Sequence, residues 1–217
     1  FYHVFLQLTK NIPILESKQN LIPIYENQPI KMIEVINNIE LYLLPYSFSR
    51  INHMVSDKIY EKMIEYGIGN KTKNIIYFGR DIYYFHKYFE KNLSNYKFLG
   101  LTHCPISYQD TIEDSEKESK VILTKTRDHF EDEIIKQKLK MKTTIILTSS
   151  RKGLSNSMAH YLSNNPEIDS VVYNSCSPKS LKKDFIILLN KFKIKEKITI
   201  NEFPHTNYET QIILLKK

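Results

Sequence analysis

Two cysteines, five glycines and four arginines are all that the 217 residues contain of these three types. Cys104 and Cys176 are too few for a disulfide framework, which points to a reducing compartment. No apolar run reaches the 18 residues that a membrane-spanning helix needs, and no signal peptide is visible. Position 1 is Phe rather than Met, so further sequence is expected ahead of it. The chain is therefore expected inside the cell, in the cytoplasm or a mitochondrion, with no membrane partner. The scarcity of glycine argues against a working nucleotide pocket, which usually uses several.

Lysine is what the chain has instead. The formal net charge is +7, which suits a polyanionic partner such as RNA. The weight of that charge is modest, because abundant Lys, Asn, Ile and Tyr together also fit an AT-rich coding genome. The length suffices for one sizeable core and a small appended lobe.

Residues Phe1 to Gln7 are rich in aromatic and β-branched side chains and predict a strand. Pro13, Pro23 and Pro29 make Thr9 to Pro29 a connection or short edge strands. Ile33 to Leu44 predicts a hairpin turning at Asn37-Asn38. Ile51, Met54, Val55, Ile59, Met63 and Ile64 fall at helical spacing. Five strand–helix units follow from Asn74, with strands expected over 74–78, 97–101, 120–124, 143–148 and 170–174. Their helices are expected over 83–93, 108–118, 128–139, 156–164 and 180–190. Two strands, 194–201 and 209–215, close the chain with no helix between them. This alternation predicts an α/β fold: a mostly parallel sheet with helices on both faces, an antiparallel C-terminal hairpin and a small N-terminal β appendage. The appendage is expected over 1–52 and the α/β domain over 53–217.

Three stretches fall where such a sheet presents its working residues, beyond the carboxyl ends of its strands. They are Thr148-Ser-Ser-Arg-Lys-Gly-Leu154, Val171-Val-Tyr-Asn-Ser-Cys-Ser-Pro178 and Glu202-Phe-Pro-His-Thr-Asn-Tyr-Glu209. In this order they resemble the RNA (uracil-5-)-methyltransferase family, with its Asp-Pro-Pro-Arg-x-Gly, Ser-Cys-Asn-Pro and Phe-Pro-His-Thr motifs. Arg151, Gly153 and Leu154 remain of the first, Ser175-Cys176-Ser177-Pro178 matches the second, and Phe203-Pro204-His205-Thr206 matches the third. Upstream, Ser47, Phe48 and Asn52 match the family's Ser-Phe-Phe-Gln-x-Asn, with Arg50 in place of Gln. The resemblance implies a class I (Rossmann-like) methyltransferase sandwich.

It also implies a chemistry. Uracil C5 is a poor nucleophile, and the family activates it by adding a cysteine thiolate to C6. C5 then takes a methyl group from S-adenosylmethionine, a carboxylate removes the C5 proton, and the cysteine leaves. Cys176 matches the nucleophile; otherwise it is a small buried hydrophobe, the commonest fate of a free Cys. Glu209 is the candidate base, but it stands one position early, and a gap-free reading puts Thr210 there. A one-residue offset on a strand turns a side chain to the other face.

The donor positions diverge. Tyr77 and Gly79 match the family's first strand and loop, but Ile75 replaces an acid and Asp81 replaces a glycine. Thr102 stands where the family's carboxylate takes the ribose hydroxyls, Thr148 where it has Asp, and Arg50 where it has a donor-contacting Gln. These changes share one pocket, so no cofactor is expected, or S-adenosylmethionine if the enzyme survives. On the RNA side the resemblance and the charge single out Arg151, Lys152, Lys179, Lys182, Lys183 and His205.

Other constellations have plainer readings. His103-Cys104 lacks the further ligands a zinc site needs, so no metal is expected. Ser149 and Ser150 lack a Gly-x-Ser-x-Gly elbow. Tyr83 to Phe89 interleaves aromatic and basic residues as RNA platforms do, yet at helical spacing such residues are more often packing. The expected function is an RNA-binding, uracil-5-methyltransferase-like protein that has lost catalysis. It would be a structural or assembly component of a ribonucleoprotein such as a (mitochondrial) ribosome, bound to tRNA or rRNA and to neighbouring proteins. The alternatives are an active S-adenosylmethionine-dependent RNA methyltransferase and a protein-binding module without RNA contact.

Overall fold

The computed structural model describes residues 5–7, 21–23, 31–44, 46–69, 72–93, 95–115, 120–126, 129–206 and 208–217. Much of the expected N-terminal strand and Pro-rich connection lies outside these residues, as do the expected helix end at 116–118 and helix start at 128. Strands β1 (Phe5–Gln7) and β2 (Leu21–Pro23) pair antiparallel. Strands β3 (Met32–Ile36) and β4 (Ile39–Leu43) form the expected hairpin, with Asn37 and Asn38 both at positive φ, as a tight two-residue turn requires.

Seven strands build the main sheet: β5 (Asn74–Phe78), β6 (Lys97–Thr102), β7 (Val121–Leu123), β8 (Thr143–Thr148), β9 (Ile168–Ser175), β10 (Lys193–Ile200) and β11 (Thr210–Lys216). Their order is β10-β11-β9-β8-β5-β6-β7. The pairs β6–β7, β5–β6, β5–β8 and β8–β9 are parallel, and β11 runs antiparallel to both β9 and β10. This is the class I methyltransferase sheet, with the closing hairpin at one edge. The order reverses between β5 and β8, the place where open α/β sheets form a crevice.

Alternation along the central strands feeds two cores. Ile75, Tyr77, Ile146, Val172, Ile212 and Leu214 pack with α1 (His53–Ile68), α2 (Ile82–Asn92) and the β3–β4 hairpin. Ile76, Phe78, Ile145, Leu147, Val171, Tyr173 and Ile213 pack with α4 (Phe130–Lys136), α5 (Asn156–Asn164) and α6 (Pro178–Leu188). Helix α3 (Pro105–Glu113) follows β6.

Several details differ from the sequence reading. Helix α1 buries Ile59, Tyr60, Met63, Ile64 and Gly67, while Ile51 and Met54 are 79% and 88% exposed. The buried stripe starts at Ser56, and Met54 falls on the opposite side of the helix. Helices α3 and α6 start earlier than apolar spacing indicates, because Pro105 and Pro178 occupy the first turn, where the missing N–H costs nothing. Tyr83, Tyr84, Phe85 and Phe89 are buried, so the aromatic run of α2 is packing rather than an RNA platform.

His86 sits in that packing, its Nε2 2.9 Å from the Ser115 hydroxyl and 3.9 Å from Glu90. Burial holds its pKa below the ordinary 6.5, against the pull of Glu90. The unfolded chain then binds more protons at mildly acid pH, so stability rises with pH in that window. The thermal midpoint should fall as pH drops below about 6.5, and His86→Leu should flatten part of that slope. Equal slopes in both proteins would exclude the effect.

Candidate functional site

The crevice between the carboxyl ends of β5 and β8 is filled by the chain's own polar side chains. Arg50, in the segment before α1, is 8% exposed. Its Nη2 donates to Asp81 Oδ2 at 2.8 Å, and its Nη1 lies 3.1 Å from both Glu202 oxygens. Its guanidinium carbon also lies 5.0 Å from the Tyr60 ring centroid. The Thr148 hydroxyl donates to Asp81 at 3.2 Å and lies 3.2 Å from the Tyr77 hydroxyl. On the other side the Thr210 hydroxyl donates to Glu202. One chain of contacts thus runs Tyr77–Thr148–Asp81–Arg50–Glu202–Thr210, across β5, β8, three connecting segments and β11.

Its electrostatics follow from burial. Desolvation works against the Arg50 charge, but the Asp81 and Glu202 carboxylates outweigh it and raise the guanidinium pKa. Burial and then Asp81 push the Tyr60 and Tyr77 phenols well above their ordinary value, so both stay protonated. A Cβ at Gly79 would collide with the Tyr77 hydroxyl and with Thr148, so this glycine makes room for the chain's own side chains. Thr102 is fully buried and its hydroxyl accepts from the Cys104 amide at 3.2 Å. The cavity left beside Asp81, lined by Phe48, Ser49, Tyr60, Arg80 and Ser107 among others, measures about 10 Å³. That is room for about one water, whereas small-molecule sites run to about 300–1,000 Å³.

The other half of this face is open. Cys176 is partly exposed, just past the end of β9. Ser177 caps α6 by accepting from the Ser180 amide. Lys179, Lys182 and Lys183 are exposed on α6, and Arg151 and Lys152 are exposed on the turn after β8. Lys183 Nζ donates to the Leu154 carbonyl at 2.7 Å, so it braces that turn rather than standing free. Asp184 accepts from the Leu154 amide at 2.8 Å and from the Tyr173 hydroxyl, fixing the same turn from below. His205 is exposed at φ 64° in the Phe203–Thr206 turn.

Glu209 is exposed and precedes β11, whereas Thr210 is its first residue and is buried. Cys176 and Thr210 each lie one residue beyond the paired Ser175 and Gln211. The register therefore sets Thr210, not Glu209, next to the cysteine. Among the described residues no cluster of His, Cys, Asp and Glu could hold a metal ion, and no helix is long and apolar enough to cross a membrane. Sequence reasoning missed the roles of Glu202 and Asp184.

Removing the guanidinium leaves two buried carboxylates facing each other. Arg50→Ala should lower unfolding free energy by about 3–5 kcal/mol, read as a lower denaturant midpoint at unchanged slope. Arg50→Met combined with Asp81→Asn and Glu202→Gln removes the unpaired charge and should recover much of the loss. An alanine variant as stable as the parent would show that the cluster does not hold the crevice together.

Known proteins share sequence segments and the fold. No family model matches the chain. A tRNA/tmRNA (uracil-C(5))-methyltransferase of Sulfurovum sp. is 32% identical over 76 residues, 35% of this chain and 20% of that protein. A 23S rRNA (uracil(747)-C(5))-methyltransferase of Pyrococcus abyssi is 32% identical over 81 residues, 37% of this chain and 19% of that protein. The chain thus spans about a fifth of the length of these curated relatives. The crystal structure of Pyrococcus abyssi tRNA (uracil-54, C5)-methyltransferase in complex with S-adenosyl-L-homocysteine superposes with a TM-score of 0.73 at 15% identity, covering 98% of this chain and 50% of that one. The chain is thus similar to RNA uracil-C5-methyltransferases, over about a third of its length in sequence and nearly all of it in fold.

Proposed function

We propose that the chain is an RNA-binding, uracil-C5-methyltransferase-like protein that has lost methyl transfer. It serves as a structural or assembly component of a ribonucleoprotein, such as a cytoplasmic or mitochondrial ribosome. The observation that carries this reading is the Arg50–Asp81–Glu202 cluster in the crevice at the β5–β8 switch point. S-adenosylmethionine does not fit the residues present. It would have to displace a buried, hydrogen-bonded ion cluster, and its sulfonium cation would meet a guanidinium. Thr102, where the ribose hydroxyls would need a carboxylate, is sealed within its own loop.

RNA as partner rests on the tRNA and rRNA named for the relatives and on the exposed cations of the open half. Arg151, Lys152, Lys179 and Lys182 surround the β9 end, and each phosphate they neutralise adds a salt-dependent increment of affinity. His205 extends the same face.

A second reading, an active methyltransferase, is favoured by Cys176, a free and partly exposed cysteine at the strand end. Against it stands the base position. Glu209 precedes the strand, and the Thr210 hydroxyl is committed to Glu202.

Calorimetric titration of S-adenosylmethionine into the folded chain should give no binding heat. Incubation with the donor and total RNA should leave no new 5-methyluridine. Micromolar binding, or an adduct with 5-fluorouridine RNA that Cys176→Ser abolishes, would overturn the scaffold reading and favour the enzyme.

A further inference from the structure

The amino ends of the parallel strands carry cations of their own. Lys142 stands immediately before β8, Lys191 in the connection from α6 to β10, and Lys193 at the first position of β10. Lys216 and Lys217 lie at the end of β11, which runs antiparallel to β9 and so returns to the same end of the sheet. All but the half-buried Lys216 are exposed. The six residues of β8, at about 3.3 Å each, set this end about 20 Å from the turn that carries Arg151.

Backbone carbonyls hold two of these cations in place. Lys142 Nζ donates to the Pro166 carbonyl at 2.7 Å, and Lys217 Nζ donates to the Asn165 carbonyl beside it. The Lys217 amide donates to the Asp169 carbonyl at 3.1 Å, and its ammonium lies 5.1 Å from the centroid of the buried Phe192 ring. An ammonium has three N–H donors, so each keeps two for another acceptor. Like charges crowd the corner. Lys193 stands directly opposite Lys216 in the β10–β11 ladder, a pairing that costs stability. Burial and then Lys142 lower the pKa of Lys217 from the ordinary 10.5; Asp169 works against that shift and Lys191 with it. Among the described residues none of these five lysines forms an ion pair with a carboxylate. The cations continue along the free edge of the sheet, where Lys195 and Lys197 are exposed on β10.

We infer that this corner, at the end of the sheet opposite Cys176, is a phosphate-binding site that takes the backbone of an RNA strand. This rests on the RNA-binding reading above for the source of the phosphate and adds a second contact surface to it. Phosphate oxygens accept the spare N–H donors of Lys142 and Lys217 in charge-assisted bonds and offset the repulsion between the two ammonium groups. One free phosphate would satisfy that pair alone. A row of cations that runs on through Lys193, Lys195 and Lys197 matches a ligand whose charges repeat, as phosphates do along a strand. With the exposed cations around Cys176 at the other end, one chain can hold two RNA segments apart by the depth of the sheet.

Lysine acetylation read by mass spectrometry tests the corner in the folded chain, alone, with a uridine-rich single-stranded RNA, and with inorganic phosphate. RNA at about ten times its dissociation constant should slow acetylation of Lys142, Lys191 and Lys193 about tenfold. Lys58, exposed on α1, should react at an unchanged rate. Lys142→Gln combined with Lys193→Gln should cost Lys191 most of its protection. Protection by inorganic phosphate at the same phosphate concentration, and not by RNA, would keep a phosphate site and overturn the RNA backbone as its ligand. If RNA protects Lys152 and Lys179 and leaves the corner fully reactive, the corner is overturned while the RNA-binding reading stands. If neither RNA nor phosphate protects any lysine, both fall together.

Discussion

One buried guanidinium holds the catalytic-end face of this fold in its observed shape. Arg50 reaches Asp81 and Glu202, which lie 31 and 152 residues further along the chain. The first belongs to the segment leading into α1, the second to the loop after β5, the third to the connection between β10 and β11. None of these segments has a regular ladder of its own to fix it. Charge-assisted bonds in a dry setting are short and directional, so they set position as well as contribute energy. An apolar filling of similar volume would hold the crevice shut about as well. What the ions add is register between three loops that otherwise only touch.

The cluster divides the face into two halves with opposite properties. At the β5–β8 switch point Tyr77, Thr148, Asp81 and Arg50 bond to one another, and the cavity beside Asp81 measures about 10 Å³. At the β8–β9–β11 end the thiol of Cys176 and a set of cations remain in reach of solvent. Bonded polar side chains therefore occupy one half of the face, and exposed Lys and Arg side chains line the other.

The strands were legible because parallel strands buried on both faces read as short apolar runs, each followed by a helix. Thr143–Thr148 and Asn74–Phe78 were read to the residue. Helix starts at Pro105 and Pro178 were less so, since apolar spacing reports the buried face and not the cap. The candidate site divides the same way. Cys176 and Arg151 announce themselves by motif and strand-end position. Glu202 and Asp184 carry no local signal of their roles, because each works through a partner that only the closed sheet supplies. Even the substitution at Arg50 could be read as a loss from sequence, but not as the centre of a new bonded cluster.

That cluster also bears on the open half. Glu202 immediately precedes the Phe203–Thr206 turn, and its backbone carbonyl accepts from the Asn52 side chain at 3.2 Å. Anchoring Glu202 to Arg50 and Thr210 therefore fixes the root of the loop that presents Phe203, His205 and Tyr208. Asp184 does the same for the turn that presents Arg151. A surface whose loops are ordered before binding loses less conformational entropy when a partner docks. Here the residues that fill the crevice also fix the loops at its rim, so the packed interior and the ordered edge are consequences of the same set of bonds.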